Sequence, residues 1–109
     1  DGEQTRSFCY VTDLINGTIL MMNKKNLIGP VNLGNPVEIS VKDLANEILE
    51  ITGSAAKLIF KKLPQDDPKQ RCPDITLAKN QLNWSPSVNR IDGLNKTIEY
   101  FEKILKKQY

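Results

Sequence analysis

The chain has 109 residues, a length that suits a single domain with a modest core. Its 15 Lys and Arg nearly balance 13 Asp and Glu, for a formal net charge of +2, so we expect no nucleic-acid partner. It contains no histidine, which excludes histidine-based metal sites, Ser/His/Asp triads and histidine general-base catalysis. The sequence shows no signal-peptide pattern and no apolar run long enough to cross a bilayer, so we expect no membrane contact by this segment.

The first two predicted elements are a strand and a helix. Residues 7–11 are rich in aromatic and β-forming side chains and predict a short strand. Thr12 or Asp13 can then cap a helix that runs to about residue 23. Apolar residues nearly encircle this helix, namely Leu14, Ile15, Ile19, Leu20, Met21 and Met22. We therefore expect it to be buried on more than one side, which needs more surface than so short a chain easily covers.

The middle of the chain predicts a strand, a helix and a further strand. Residues 31–34 predict a short strand after a turn. Ser40 is a candidate N-cap for a helix whose apolar residues recur at helical spacing, and Gly53 fits the position just past its end. Residues 58–60 are the centre of the next predicted strand, which leads into a charged loop.

The loop at residues 63–73 cannot hold a regular element, because it contains Pro64, Pro68 and Pro73. Asp74 or Thr76 is available as the N-cap of the helix that follows. A stiff loop that feeds a helix presents Arg71 and Asp74 at a fixed separation. The arginine fork suits phosphate oxygens, and an aspartate accepts from hydroxyl groups. The pattern suits a phosphorylated sugar or nucleotide, but residue chemistry alone favours a surface loop with solvated charges, because charged loops are common.

Two helices close the chain. Residues 76–82 predict a short helix, and Trp84 is expected to fill the junction between the last two helices. The final helix spans about residues 91–106, with its apolar residues in one core-facing stripe. The order strand, helix, strand, helix, strand, helix, helix predicts an α/β fold without internal repeats.

The two cysteines, Cys9 and Cys72, could pair, but two are too few for a disulfide framework. Without histidine or metal-ligand spacing, they are most simply small buried or half-buried thiols. We therefore expect no metal site in this chain.

Five segments carry a family resemblance: GEQTRSFCYVTDL at residues 2–14, PVNLGNP at 30–36, DDPKQRCPDI at 66–75, LNWSP at 82–86 and GLNKTIEYF at 93–101. In residue identity, order and spacing they resemble nucleotide-sugar enzymes of the extended short-chain dehydrogenase/reductase superfamily. The similarity covers essentially the whole chain. The run from Asp66 to Asp74 is most similar to the UDP-glucuronic acid decarboxylase branch. The dTDP-glucose 4,6-dehydratases and the UDP-sugar 4-epimerases remain alternatives.

The family pattern also shows what the chain lacks. Members hold the NAD pyrophosphate on a glycine-rich turn, and nothing here matches that turn. They also carry a catalytic Tyr with a Lys four residues on, whereas here Tyr10 is followed by Leu14 and Tyr100 by Ile104. The resemblance therefore implies that residues 1–109 are the C-terminal substrate-binding portion, with the NAD-binding Rossmann domain absent from this chain. We expect no catalytic residue, no bound NAD and no activity in this chain alone.

For the parent protein the resemblance implies NAD-dependent conversion of UDP-glucuronic acid to UDP-xylose and carbon dioxide through a 4-keto intermediate. The parent would be a cytoplasmic homodimer, or a Golgi-lumen enzyme if it carries an N-terminal membrane anchor. In this chain, Arg6 and Arg71 match the two arginines that hold the substrate diphosphate. Gln4 and Asn32 match neighbouring polar contacts. Asp74 matches an acidic position that can accept from the ribose hydroxyls.

Residue chemistry leaves other classes of function open. Two arginine forks can clamp a diphosphate, but Arg6 could equally be a charge that protects an edge strand from pairing. A stand-alone UDP-sugar-binding module without chemistry would keep the same clamp. A small interaction domain would instead use the basic C-terminal helix to bind an acidic partner, with a steep salt dependence.

Overall fold

The computed structural model describes residues 1–108, which form two short strands and four helices. In chain order these are β1 (Thr5–Ser7), α1 (Val11–Asn23), β2 (Glu38–Ser40), α2 (Val41–Thr52), α3 (Thr76–Leu82) and α4 (Arg90–Gln108). No helix within residues 1–108 combines the length and the apolar character that crossing a bilayer needs.

The sheet consists of β1 and β2, which pair antiparallel with Arg6 opposite Ile39. Backbone pairing continues beyond the strands, because Val41 N–H donates to the Gln4 carbonyl and Lys42 N–H to the Gly2 carbonyl, both at 2.9 Å. A two-stranded sheet is marginal by itself, so its stability depends on the helices around it.

The strand predictions were largely wrong. The first strand occupies Thr5–Ser7 rather than residues 7–11, because Tyr10 is already the N-cap of α1. Residues 31–34 and 58–60 are not strands, since neither segment has a hydrogen-bonded strand neighbour among residues 1–108. The short strand β2 was not predicted, because three residues carry too little periodicity to recognise.

Helix α1 is buried on its small and polar side. Asp13 and Gly17 are its buried residues. Its large apolar side chains are 41% to 79% exposed: Val11, Leu14, Ile15, Ile19, Leu20 and Met22. Burial on more than one side is not found within residues 1–108, whereas the expectation that so short a chain does not easily cover this helix is confirmed. The proposed Thr12 or Asp13 cap is also wrong, since both lie inside the helix.

Helix α2 begins and ends where the sequence predicts. The Ser40 hydroxyl accepts from Asp43 N–H at 3.0 Å, which confirms the N-cap. Gly53 follows the helix in the left-handed conformation, with φ of 63°, and its N–H bonds back to the last turn. A two-point ion pair between Glu47 and Arg90 joins α2 to α4.

The core lies between α1 and α3. Its buried residues are Ile75, Ala78, Leu82 and Trp84, packed against the half-buried Cys9, Met21, Leu27, Val31 and Leu33. Trp84 Nε1–H donates to the Asp13 carbonyl at 3.0 Å. A Cβ on Gly17 would lie 3.1 Å from the Trp84 ring, so a glycine is needed there for close approach. Trp84 therefore packs on α1, and its predicted place between the last two helices is wrong.

The two C-terminal helices are confirmed with small changes. Helix α3 has the predicted bounds, and α4 extends slightly beyond the predicted residues at both ends. Asn89 caps the N-terminus of α4, because its side-chain oxygen accepts from Asp92 N–H at 2.8 Å.

Candidate functional site

The proline-containing loop lies along the edge of β1 that does not pair with β2. Thr5 N–H donates to the Lys69 carbonyl at 2.8 Å. The Ser7 hydroxyl donates to the Arg71 carbonyl at 3.3 Å. These two hydrogen bonds place the backbone of Arg71 beside the end of β1. The strand carrying Arg6 and the loop carrying Arg71 are therefore adjacent, although 65 positions separate these residues in the chain.

Arg6 is held by two different groups. Its Nη2 donates to Asp67 Oδ1 at 2.6 Å, and its Nη1 donates to the Thr5 carbonyl at 2.6 Å. The Arg6 side chain is 18% exposed. An enclosed guanidinium needs hydrogen-bond partners, and Asp67 supplies a charged one.

Arg71 presents its charge differently. It is exposed, and its guanidinium makes no hydrogen bond or ion pair within residues 1–108. Its position is fixed only through its backbone, by Ser7. The site therefore combines one fixed arginine and one arginine whose donors are open to an incoming anion.

Asp74 and Asn32 lie together at the start of α3. Asp74 Oδ1 accepts from the Thr76 hydroxyl at 2.6 Å and from Thr76 N–H at 2.9 Å. The hydroxyl bond, followed by the backbone bond, lowers the pKa of Asp74 from its ordinary value, so the group is ionised at neutral pH. Asn32 Nδ2 donates to the Asp74 carbonyl at 3.3 Å. Neither Asp74 nor Thr76 is the N-cap, which is Ile75 without a side-chain bond, so that prediction was wrong.

Gln4 lies in a cavity that neither Asp74 nor Asn32 lines. It is half-buried and lines a shallow cavity of about 300 Å³ with residues 41–42 and 58–64. Within residues 1–108, no hydrogen bond joins its side chain to either arginine.

Sequence reasoning missed Asp67, the residue that contacts Arg6. The available signal was the Asp66-Asp67-Pro68 run, in which an acidic residue precedes a proline in a stiff loop. That pattern does not indicate which of the two carboxylates faces the strand.

The cysteines take no part in a metal or disulfide site within the described residues. Both are free thiols, with Cys9 half-buried and Cys72 exposed, so the expectation of burial was wrong for Cys72. Burial raises the pKa of the Cys9 thiol, and the nearby charge of Asp13 adds to that effect. Residues 1–108 contain no group of three or more side chains that could hold a metal ion.

The described residues do not fit the pyrophosphate of NAD. That group needs a glycine-rich turn between a strand and a helix. Here β1 leads to α1 through residues 8–10, and β2 runs directly into α2, with no glycine at either junction. No hydride step can be assigned to these residues.

No family model matches the chain, but several curated proteins are similar to it over nearly its whole length. The chain is 50% identical over 107 residues to UDP-glucuronic acid decarboxylase 1 of Xenopus tropicalis, which covers 98% of this chain and 25% of the relative. The corresponding protein of Danio rerio is 47% identical with the same coverage. UDP-glucuronic acid decarboxylase 1 of Arabidopsis thaliana is 44% identical, covering 93% of this chain and 23% of the relative. The chain thus spans about a quarter of the length of the curated relatives it matches.

Solved structures share the fold. The UDP-glucuronic acid 4-epimerase from Bacillus cereus, in complex with UDP-glucuronic acid and NAD, is 36% identical with a TM-score of 0.88, over 95% of this chain and 34% of that one. The UDP-glucose 4-epimerase from Thermotoga maritima, with UDP-glucose, is 35% identical with a TM-score of 0.88, over 96% and 34%. An epimerase from Methanothermobacter thermautotrophicus reaches a TM-score of 0.92 at 28% identity, over 97% and 32%.

These matches agree with the resemblance drawn from the five segments and confirm the α/β fold class. They extend over nearly the whole chain, including the β1 edge, the proline loop and the start of α3. Over nearly its whole length the chain is therefore similar to one part of the UDP-glucuronic acid decarboxylases and of the NAD-binding UDP-sugar epimerases, and it spans about a quarter of the curated relatives it matches.

Proposed function

We propose that residues 1–109 are the C-terminal substrate-binding portion of a longer NAD-dependent enzyme that converts UDP-glucuronic acid to UDP-xylose and carbon dioxide. The chain would bind the UDP-sugar, while NAD and the catalytic groups would be bound and supplied by residues outside it. The observation that carries this proposal is the hydrogen bond of the Ser7 hydroxyl to the Arg71 carbonyl, which brings the strand of Arg6 beside the loop of Arg71.

A diphosphate fits this pair of arginines. It carries about two negative charges, and each charge-assisted hydrogen bond to it contributes about 1.5–3 kcal/mol net. The loop is stiffened by its prolines and bonded to Thr5, so little backbone freedom remains to be lost on binding. The Arg6 fork is held in place and the Arg71 fork extends from a fixed backbone, so binding needs no further ordering of the backbone.

Asp74 and Asn32 could contact the sugar of the nucleotide. Both bonds from Thr76 go to Asp74 Oδ1, so within residues 1–108 Oδ2 accepts no hydrogen bond and is available to a ribose hydroxyl. The lowered pKa of Asp74 keeps that oxygen an acceptor at neutral pH. Asn32 donates one amide hydrogen to the Asp74 backbone, which leaves its side-chain oxygen for a second polar contact. Gln4 is proposed as a further polar contact near Arg6.

Similarity favours a decarboxylase over the alternatives. Curated relatives at 41% to 50% identity are named UDP-glucuronic acid decarboxylases, whereas the solved epimerases reported above are 28% to 36% identical. A UDP-sugar 4-epimerase, a dTDP-glucose 4,6-dehydratase and a non-catalytic UDP-sugar-binding module are the alternatives. Under this proposal each of them would bind the diphosphate through the same two arginines, so product analysis must separate them.

The test is incubation of the full-length protein with UDP-glucuronic acid and NAD, with the nucleotide products resolved by chromatography. UDP-xylose with release of carbon dioxide is expected. UDP-galacturonic acid as the product would show an epimerase instead, and UDP binding without any turnover would show a binding module.

The chain alone gives the matching control. Residues 1–109, incubated under the same conditions, are expected to form no UDP-xylose, because the described residues do not fit NAD. UDP-xylose above background from this chain would contradict the proposal that NAD and the catalytic groups are supplied by residues outside it.

We further propose, from the family resemblance, that the full-length protein is a homodimer in the cytoplasm, or in the Golgi lumen if a membrane anchor precedes this segment. Sedimentation and localisation of the full-length protein test these points.

A further inference from the structure

The ion pair between Arg6 and Asp67 joins β1 to a loop that lies 61 positions away in the chain. Nη2 of Arg6 donates to Asp67 Oδ1 at 2.6 Å, and the side chains are 18% and 35% exposed. Nη1 donates to the Thr5 carbonyl at 2.6 Å. Because these two acceptors bind different nitrogens, they fix the plane of the guanidinium as well as its position.

Asp67 is itself held in place without Arg6. Its N–H donates to the Pro64 carbonyl at 3.1 Å, which closes a turn. Pro68 follows at once and restricts the backbone further. Two residues after Asp67, the Lys69 carbonyl accepts from Thr5 N–H on β1. The backbone that carries the Asp67 carboxylate is therefore fixed without help from Arg6.

The fixed guanidinium keeps most of its donors. Arginine has five N–H groups, and the two bonds described use two of them. The remaining three can bind phosphate oxygens while the contact with Asp67 persists. An unanchored arginine would lose much more side-chain rotamer entropy when it bound an anion. The carboxylate would repel a phosphate if it were isolated, but the guanidinium it contacts offsets its charge.

We propose that Asp67 is a positioning residue, which holds the Arg6 guanidinium ready for the substrate diphosphate and fastens the Arg71 loop to β1. This inference rests on the proposed function, since it assigns a role to Asp67 in the same site. Asp67 acts through Arg6 and does not touch the diphosphate.

The test uses the full-length protein with the variants Asp67→Ala and Asp67→Asn and the control Asp66→Asn. The control residue is exposed, and its carboxylate makes no hydrogen bond within residues 1–108. Asp67→Ala should weaken UDP binding about tenfold and raise KM for the UDP-sugar by a similar factor, with kcat and NAD affinity unchanged. Asp67→Asn keeps an acceptor oxygen and should lose only about threefold. Asp66→Asn should match the wild type.

An Arg6→Ala background separates positioning from a general effect on folding. There, Asp67→Ala should produce no further loss of UDP affinity, because the group it positions is gone. The same tenfold loss in that background, a fall in kcat at unchanged KM, or tighter UDP binding by Asp67→Ala would each overturn the inference. If Asp67→Ala does not fold, the same comparison is made with Asp67→Asn. Its loss of about threefold in UDP affinity should appear in the wild type and be absent in the Arg6→Ala background.

The same variants distinguish this inference from the proposed function. If Arg6→Ala weakens UDP binding while Asp67→Ala does not, Asp67 has no positioning role and the proposed function stands. If neither Arg6→Ala nor Arg71→Ala weakens UDP binding, the proposed function itself is wrong.

Discussion

Asp13, in the first turn of α1, is only 3% exposed and is fully hydrogen-bonded. Its Oδ2 accepts from Ser87 N–H at 3.0 Å and Val88 N–H at 2.9 Å, and its Oδ1 accepts from the Ser87 hydroxyl at 2.9 Å. Its backbone carbonyl accepts from Trp84. One residue therefore fastens α1 to the connection between α3 and α4.

Replacing Asp13 by alanine should lower the free energy of unfolding by about 2–4 kcal/mol, because the Ser87 and Val88 N–H groups would lose their acceptor. Urea denaturation followed by circular dichroism measures this change. Glu102→Ala, at an exposed position of α4, should stay within about 0.5 kcal/mol of the wild type. A loss for Asp13→Ala no larger than that of the control would show that these hydrogen bonds contribute nothing net.

The pH dependence of stability gives a second prediction for Asp13. Burial by itself raises the pKa of this carboxyl, but the hydrogen bonds from Val88 and Ser87, with the charge of Lys96, lower the pKa below its ordinary value of 3.8. The ionised group therefore stabilises the fold above about pH 4, and this contribution is lost as the pH falls through the native pKa. Unfolding midpoints below pH 5 should fall less steeply for Asp13→Asn than for the wild type. Identical slopes would contradict the shift.

Features that depend only on neighbouring residues in the chain could be predicted from the sequence. Ser40 and Gly53 bound α2 as expected, because a cap depends on neighbours within a few positions. Asp13 was misread as a helix cap, since its acceptor role depends on Ser87, 74 positions away. Arg71 was chosen from the chemistry of its loop and from the resemblance, and Arg6 mainly from the resemblance. Their contact with substrate stays a prediction.

At the scale of elements, helices were predicted far better than strands. A helix bonds to itself, so the apolar spacing of α2, α3 and α4 was enough to find them. A strand needs a partner, and residues 31–34 have none among the described residues. In that segment Leu33 packs against Gly17 of α1 instead. The predicted apolar helix α1 is present, but residues 1–108 leave most of its large apolar side chains exposed.

The contact between α2 and α4 gives a prediction at this scale. Arg90 Nε and Nη2 donate to the two oxygens of Glu47 at 2.9 and 2.8 Å, with both side chains 25% exposed. The bond from Arg90 is the main cause that lowers the pKa of Glu47. A double-mutant cycle with Glu47→Gln and Arg90→Met should give a coupling of about 1 kcal/mol, after allowance for solvent screening.

The exposed pair of Glu99 and Lys103 on α4 is the matched control for that cycle. Its coupling should be below about 0.5 kcal/mol, because both groups are solvated and a single ion-pair contact of 3.3 Å joins them. Equal couplings for the two pairs would show that the two-point geometry at Arg90 adds nothing.

The molecule as a whole is extended for its length. Its radius of gyration is 16.7 Å, with extents of 51 × 37 × 21 Å. A compact domain of this length has a radius of about 13 Å. Its accessible surface is 8431 Å² for a mass of 12.3 kDa. Size scaling gives about 6,100 Å² for a compact monomer of that mass, so the excess is comparable to one side of a large protein interface.

We therefore expect the isolated chain to be marginally stable and to associate at micromolar concentration, chiefly through the exposed apolar face of α1. Sedimentation velocity measures this. The double variant Ile15→Lys and Ile19→Lys should reduce association, whereas Ile28→Lys, at an exposed site outside α1, should not. A compact, strictly monomeric species with a high melting temperature would contradict the expectation.

The central claim is that Arg71 binds the diphosphate of a UDP-sugar, and calorimetric titration of UDP into full-length Arg71→Ala tests it most directly. Binding should weaken by roughly 2–4 kcal/mol, about 30- to 1000-fold, with partial recovery in Arg71→Lys and no change in NAD affinity. Lys69→Ala, a charge removed from the same loop, should cost less than about threefold. If Arg71→Ala also leaves UDP affinity within about a factor of three, Arg71 is a surface charge and this central claim is wrong.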